Sequence, residues 1–508
     1  MTHRYRNPKT PRKIAQFCHP MAALICVLLL TGCAVGPVYQ TPHRPMPENW
    51  TTADDPALLP QGELIQQWWT LFNDPLLDKL IQSAKENNRD LMAAIARVEE
   101  AKALLGFSKG AHLPQLDAAG SVIRQETGDN GLSPGADETL SAADIGAGWE
   151  IDLFGRIRRS VEAATAAYQA SAEDRNDMMI SLYAKVALAY LDIRTFQARL
   201  ISAQANIESQ QSVLVLTQSR FRHGLATNLD VAQAQRVLAS TEAEVPPLKI
   251  GLSQAVSALA VLLGRAPGDL AAEWLLNNPI PLPPAKVTVG VPANLLRQRP
   301  DVRRAERQLA AQTARIGVLK ADLYPSFSLI GTFGYEAIDA DDLFDAGSRF
   351  FSFGPSLRWN IFNGGRIRRR IEAQHARARQ ALFCYEQSVL NALKEVEDAL
   401  IAYIQDRSRL AALERSVDAS RRSVKLATDL YKQGLVDFQQ VLDAQRDQFR
   451  FENQYATARG NSAANFVRLY AALGGGWDPQ HSTEASRDAE HISPTAKEKN
   501  TRNTSKYN

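Results

Sequence analysis

Apolar positions along this chain recur with two different periods. Leu182, Val186, Ala189, Ile193, Phe196 and Leu200 fall at alternating steps of four and three. That is a heptad seam, the mark of a helix packed lengthwise against neighbours. The segment carrying it starts near Gly155 and runs to about Arg222, roughly 100 Å at 1.5 Å per residue. Helices of ordinary globular domains average about three turns, so a stripe in a compact bundle accounts poorly for this length. Val389, Ala392, Val396, Ala399 and Tyr403 repeat the seam later. The shorter helical stretches Asn87–His112 and Thr227–Leu263 together match one long helix and could stack end to end beside it. Pro246-Pro247 falls inside the second stretch, where adjacent prolines should kink or interrupt it.

The second period is two. Leu116, Ala118 and Val122 alternate with Gln115, Asp117 and Ser121. Ile145, Ala147, Trp149, Ile151 and Leu153 alternate with Gly146, Gly148, Glu150 and Asp152. Phe327, Leu329, Phe333 and Tyr335 alternate less cleanly with Ser326, Ser328 and Thr332. Phe353, Pro355, Leu357, Trp359 and Ile361 alternate with Gly354, Ser356, Arg358 and Asn360. Segment by segment, a half-buried soluble sheet and a membrane barrel strand account equally for this. Four strands cannot close around a pore, since small barrels start at about eight strands and leave no open channel. Three chains would close one, which makes a trimer the simplest assembly. No segment after the N-terminal stretch reads as apolar for long enough to span a membrane as a helix.

The chain is also written twice. Asn88-Arg89-Asp90 is echoed by Arg299-Pro300-Asp301, and Leu113-Pro114 by Tyr324-Pro325. Gly155-Arg156-Ile157-Arg158-Arg159 returns as Gly365-Arg366-Ile367-Arg368-Arg369. Gly224-Leu225 returns as Gly434-Leu435, and Leu263-Gly264 as Leu473-Gly474. The offset stays at about 210, as a duplicated structural unit requires. Each half reads as a helix ending at a proline, two strands, a very long helix, a Gly-Leu turn and a helix ending at glycine.

The N-terminus is basic through Arg4, Arg6, Lys9, Arg12 and Lys13. Met21 to Leu30 is an apolar run of about ten residues, half of what a spanning helix needs. Leu30-Thr31-Gly32-Cys33 follows and resembles a bacterial lipobox, in which the cysteine sulfur carries the lipid. Several acyl chains together give stable anchoring. The boundaries expected are 1–32 signal peptide, 33–61 extended lipid-anchored segment, 62–276 first repeat, 277–292 Pro-rich linker, 293–476 second repeat and 477–508 polar, disordered tail.

Net charge is +3 over 508 residues, which gives a nucleic-acid partner no electrostatic support. The basic run Arg366–Arg370 reads as a solvated helix start. Cys18, Cys26, Cys33 and Cys384 show no CxxC spacing, so neither a disulfide framework nor structural zinc is indicated. The histidines are scattered, without an HExxH pair, and Gly146 and Gly148 begin a GxG that no third glycine completes. No catalytic residue, metal site or cofactor is expected beyond the covalent lipid on Cys33.

Several motifs, in order, resemble the outer-membrane efflux family of the TolC and OprM kind, in its NodT-type lipoprotein branch. They are Cys33-Ala34-Val35-Gly36-Pro37, Trp68-Trp69 with Asp74-Pro75, Trp149 to Gly155, Leu296 to Asp301, Tyr324-Pro325-Ser326 and Leu442 to Arg446. The resemblance covers about Cys33 to Gly476. It implies a mainly α fold with a β-barrel membrane part. Each chain would give four strands and long coiled-coil helices, and a homotrimer would form a 12-stranded barrel and a 12-helix periplasmic tunnel. It further implies docking to a periplasmic adaptor (a membrane fusion protein) and, through it, to an inner-membrane RND-type transporter. Ala34, rather than Asp, after Cys33 implies the outer membrane and its lipid.

By the same resemblance, Gly224, Leu225, Gly434 and Leu435 are adaptor-facing turns at the periplasmic tips. Glycine there permits the positive φ of a helix end. Asp443 matches an aspartate that narrows the pore entrance, where three copies form a ring of like charge. Gln439 stands one turn earlier, where the family often has leucine. Asp437 and Asp230 are further carboxylates near the turns. The function implied is an exit duct for small molecules such as drugs. The alternatives are the duct of a type I protein secretion system and, from another class, a lipid-anchored coiled-coil envelope tether.

Overall fold

Both heptad seams lie on uninterrupted helices of 67 residues each, Arg156–Arg222 and Arg366–Lys432. The computed structural model describes residues 34–42, 45–59, 65–126, 128, 137–270, 278–292 and 298–477. Cys33, the stretch before it and the tail beyond Trp477 lie outside the described residues. In chain order the elements are β1 (Leu58–Leu59), a 3-10 turn (Trp68–Phe72), α1 (Pro75–Asn87), α2 (Arg89–Gly110), β2 (Gln115–Glu126) and β3 (Asp137–Ile151). Next come α3 (Arg156–Arg222), α4 (Asn228–Ala243), α5 (Val245–Leu262), β4 (Val287–Thr288) and α6 (Pro300–Ala321). The chain continues through β5 (Ser326–Ala337), β6 (Arg349–Arg358), α7 (Arg366–Lys432) and α8 (Phe438–Ala472).

It divides into two compact units, each drawing on both repeats. The first takes residues up to 42, 99–168 and 306–384. Its sheet is antiparallel throughout, in the order β2-β3-β5-β6. Register decides what single strands left open. Ala118 pairs with Ile145, Ile145 with Phe333, and Phe333 with Phe351. Ile151 pairs with Phe327, and Phe327 with Leu357. Directly paired residues share a face, so the apolar positions of all four strands merge into one surface. That surface is open: Phe351 and Phe353 are 79% and 74% exposed. On the other face Asp117, Gly146, Thr332 and Ser352 line up. β3 stops at Ile151 and β6 at Arg358, so Leu153, Trp359 and Ile361 lie past the strands. The indoles of Trp149 and Trp359 donate to the carbonyls of His112 (2.9 Å) and Leu323 (3.2 Å).

The residues just after Cys33 are tied into this unit. Val35 N–H donates to the Phe154 carbonyl at 3.1 Å, and Arg159 Nε to the Val35 carbonyl at 3.2 Å. Gly36 lies against Gly317 of α6, where an added Cβ would come within 2.5 Å of the Gly317 Cα. The glycine of this motif therefore makes a backbone contact that no larger residue at 36 would allow.

The second unit takes residues 43–98, 169–305 and 385 onward. Its main core joins Trp68, Phe72, Leu77, Tyr190, Leu259, Tyr403 and Phe466. α1 enters it because Leu77, Leu80, Ile81 and Ala84 recur at helical spacing, after a start capped by Asp74 with Pro75 in the first turn. The seam residues Val389, Ala392, Val396, Ala399 and Tyr403 are all buried. The short helices do meet end to end. Asn88 Nδ2 donates to the Leu262 carbonyl at 2.9 Å, joining the end of α5 to the start of α2. At the repeated position Arg299 Nη1 donates to the Ala472 carbonyl at 2.7 Å, joining α8 to α6.

α4 ends at Ala243 and α5 starts at Val245, with the two prolines in its first turn. A first-turn N–H has no helical acceptor, so prolines are tolerated there. One sequence expectation is overturned in this region. Asn228–Leu262 is long and apolar enough, by length and composition alone, to cross a membrane, where the sequence reading found no such segment. Leu248, Ala255, Leu259 and Ala260 are buried, whereas Leu229, Ile250 and Val261 are exposed.

Candidate functional site

The two Gly-Leu turns are built alike. α3 ends as Gly224 adopts φ +74, and α7 ends as Gly434 adopts φ +75. Leu225 N–H reaches back to the Arg220 carbonyl (2.8 Å) and Gly224 N–H to that of Phe221 (2.9 Å). Leu435 and Gly434 do the same to Leu430 and Tyr431, both at 3.0 Å. This paired pattern satisfies the last carbonyls of a helix and needs a left-handed residue, hence glycine. Leu225 and Leu435 project outward, 65% and 67% exposed.

Arg220 ties the turns together. Its Nη1 donates to the Lys432 carbonyl at 3.1 Å, and its guanidinium lies 4.6 Å from the centre of the Tyr431 ring. Beneath the turns Val213, Ala234, Val237, Tyr431, Phe438, Val441 and Leu442 form a separate apolar cluster. Sequence reading missed Arg220, because nothing in the local pattern marks one arginine at a helix end as a staple to a segment about 210 residues away.

The carboxylates singled out in the sequence have different surroundings. Asp230 completes a capping box, accepting from Thr227 N–H at 2.8 Å while its own N–H donates to Thr227 Oγ1 at 3.2 Å. That geometry gives it a helix-start role. Asp437 stands at the N-cap of α8, and its side chain makes no capping bond. Asp443 is exposed on α8, accepts from Gln439 Nε2 at 2.9 Å and pairs with Arg446 Nη1 at 3.6 Å. Gln439, Asp443 and Arg446 thus form one polar stripe at i, i+4 and i+7.

Farther along α8, Glu452 is a buried carboxylate the sequence did not reveal. It accepts from Arg421 Nε (2.8 Å), Gln448 Nε2 (3.2 Å), Ser202 Oγ (3.0 Å) and Asn206 Nδ2 (2.7 Å). Burial by itself would raise its pKa, but the donors, Arg421 foremost, outweigh that and hold it below the usual carboxylate range. The cluster locks α8 to α3 and α7. Among the described residues no group of His, Cys, Asp or Glu side chains could hold a metal ion.

A sheet with one continuous apolar face, joined to very long coiled-coil helices ending in exposed turns, defines the class of membrane ducts that combine a β-barrel with an α-helical tunnel. The chain belongs to the outer membrane efflux protein family. The family model matches residues 80–265 and 291–475, once in each repeat. The toluene efflux pump outer membrane protein TtgF of Pseudomonas putida is 34% identical over 465 residues, covering 88% of this chain and 95% of that protein. Nodulation protein T of Rhizobium leguminosarum bv. trifolii is 32% identical over 461 residues, covering 89% and 96%. The solved outer-membrane channel OprN is 35% identical with a TM-score of 0.84, covering 88% of this chain and all of that one. This chain is an outer-membrane efflux protein, of a family of ducts and not of enzymes.

Proposed function

We propose that three copies assemble into a passive exit duct, with twelve strands closing a barrel and the helices forming a periplasmic tunnel. The carrying observation is the sheet. Its apolar face runs in register across four strands, while β2 and β6 each have one pairing partner and one open edge. Open strand edges cannot stand in lipid, so another copy must pair with them. The duct receives small molecules such as drugs from a periplasmic adaptor that meets Leu225 and Leu435, and from an inner-membrane RND-type transporter behind it. A lipid on Cys33 anchors each copy. The docking of Ala34–Gly36 beside Phe154 and Gly317 supports this, because it fixes the chain one residue after that sulfur. Asp443 narrows the entrance as a ring of three carboxylates, and no catalytic step is involved.

Conductance of the purified mature protein in a planar bilayer tests this. Long-lived, low-conductance events should appear and should grow in Asp443→Ala. Events that do not change in the variant remove Asp443 as the gate. A folded, lipidated sample without events overturns the duct.

A further inference from the structure

The second repeat carries three arginines at positions where the first has none. Between α6 and α7 a cavity of about 420 Å³ is lined by Arg315, Arg370 and Arg377 over a floor of Val318, Leu319 and Ala373. Among the described residues no carboxylate lines it. Gln374 also lines it and donates to the carbonyl and side-chain oxygens of Gln312 at 3.1 and 2.8 Å. The guanidiniums are not consumed in strong pairs. Arg370 reaches Asp322 only at 4.0 Å, Arg377 donates to Gln374 Oε1 at 3.4 Å, and Arg315 has no ion pair among the described residues. At an offset of about 210, the corresponding positions in the first repeat are Leu104, Ser160 and Ala167. The duplicated fold therefore does not require arginine here.

Arg370 also places the groove. It lines a second cavity together with Glu150, Ser326, Arg358 and Asn360, which carry the polar alternation of the strands and their ends, and with Ile151, Phe154 and Asp322. Arg370 thus connects the groove to the polar residues at this end of the sheet. In a duct the polar side of the sheet meets the solute.

We infer that the groove between α6 and α7 binds organic anions with an apolar body, one sulfonate, carboxylate or phosphate group among the three guanidiniums and the body on the apolar floor. Planar guanidinium forks suit such oxyanions, and rings of arginine bias a pore toward anions. This rests on the duct reading and gives it a preferred class of solute.

The test uses the full mature chain in zwitterionic nanodiscs, titrated with naphthalene-2-sulfonate, with neutral 2-naphthalenemethanol and inorganic sulfate as controls. The sulfonate should bind more tightly than either control, and in R315Q/R370Q/R377Q its affinity should fall by about tenfold or more. In bilayers under a KCl gradient, the reversal potential of the triple variant should move toward cation preference. Arg315→Gln alone, at an exposed side chain, should weaken sulfonate binding even where the triple variant assembles poorly. Equal sulfonate binding in wild type and both variants overturns the inference and leaves the duct standing. Sulfate binding as tight as the sulfonate overturns the role of the apolar floor. Absent conductance with intact sulfonate binding overturns the duct and with it the solute role.

Discussion

The first and second repeats share a backbone and differ in how firmly they hold it. Gly224 and Gly434 have the same conformation and the same pair of helix-ending bonds. After the first turn, Thr227 and Asp230 lock the start of α4 with a capping box. After the second, Asp437 leaves α8 without a side-chain cap. The helix without a side-chain cap is the one that carries Gln439 and Asp443. At the joints the order reverses: Asn88 gives the first a neutral bond to Leu262 and a cap on Leu91 N–H, while Arg299 gives the second a bond to Ala472 and ion pairs with Asp301 and Glu395 at 2.8 and 2.7 Å. Duplication kept the geometry and redistributed the fastening, giving α8 an ion-paired joint at its end and a start held by apolar packing without a side-chain cap.

Arg299→Ala should break this contrast most severely. It leaves the Ala472 carbonyl and the carboxylates of Asp301 and Glu395 without their donor. The loss should be about 3 kcal/mol, read as a lower midpoint for thermal loss of the folded chain. Asn88→Ala, removing a neutral bond and a helix cap, should cost about 1 kcal/mol.

Glu452→Gln tests the clamp between α8, α3 and α7. The folded pKa is lowered, so the stabilisation is complete above the unfolded carboxyl value of about 4.3 and fades as pH falls through the folded value. The variant should lose about 1–2 kcal/mol at neutral pH and show a shallower decline in acid, followed by denaturation midpoints across pH. An identical acid profile would remove Glu452 as the titrating group.

The turns themselves should respond equally. Gly224→Ala and Gly434→Ala each force a Cβ into the left-handed region, at about 1–2 kcal/mol. Unequal midpoint shifts would show that the turns are not energetic copies. The smallest effect sharpens the contrast between caps. Thr227→Ala should cost up to about 1 kcal/mol, whereas Asp437→Ala should leave stability nearly unchanged; hydrogen exchange at the starts of α4 and α8 would read this locally.

Periodicity within the chain determined the helix lengths, the four strands, the turn glycines and the duplication. These follow from local rules: a heptad seam, alternation on a pleat, and glycine where φ must be positive. The break at Pro246-Pro247 was legible for the same reason. The candidate site was legible only as positions: Asp443, Gln439 and the turn residues could be named from the chain, but not the capping box that occupies Asp230. Tertiary structure decided what depends on pairing distant segments. Strand register turned four ambiguous alternations into one open apolar face. Arg220, Glu452 and Arg299 acquired their roles from partners up to about 250 residues away, and Arg315, Arg370 and Arg377 met only because α6 and α7 pack side by side. A hydrogen bond or a shared cavity acts through space at a few ångströms, and sequence separation carries no record of that distance.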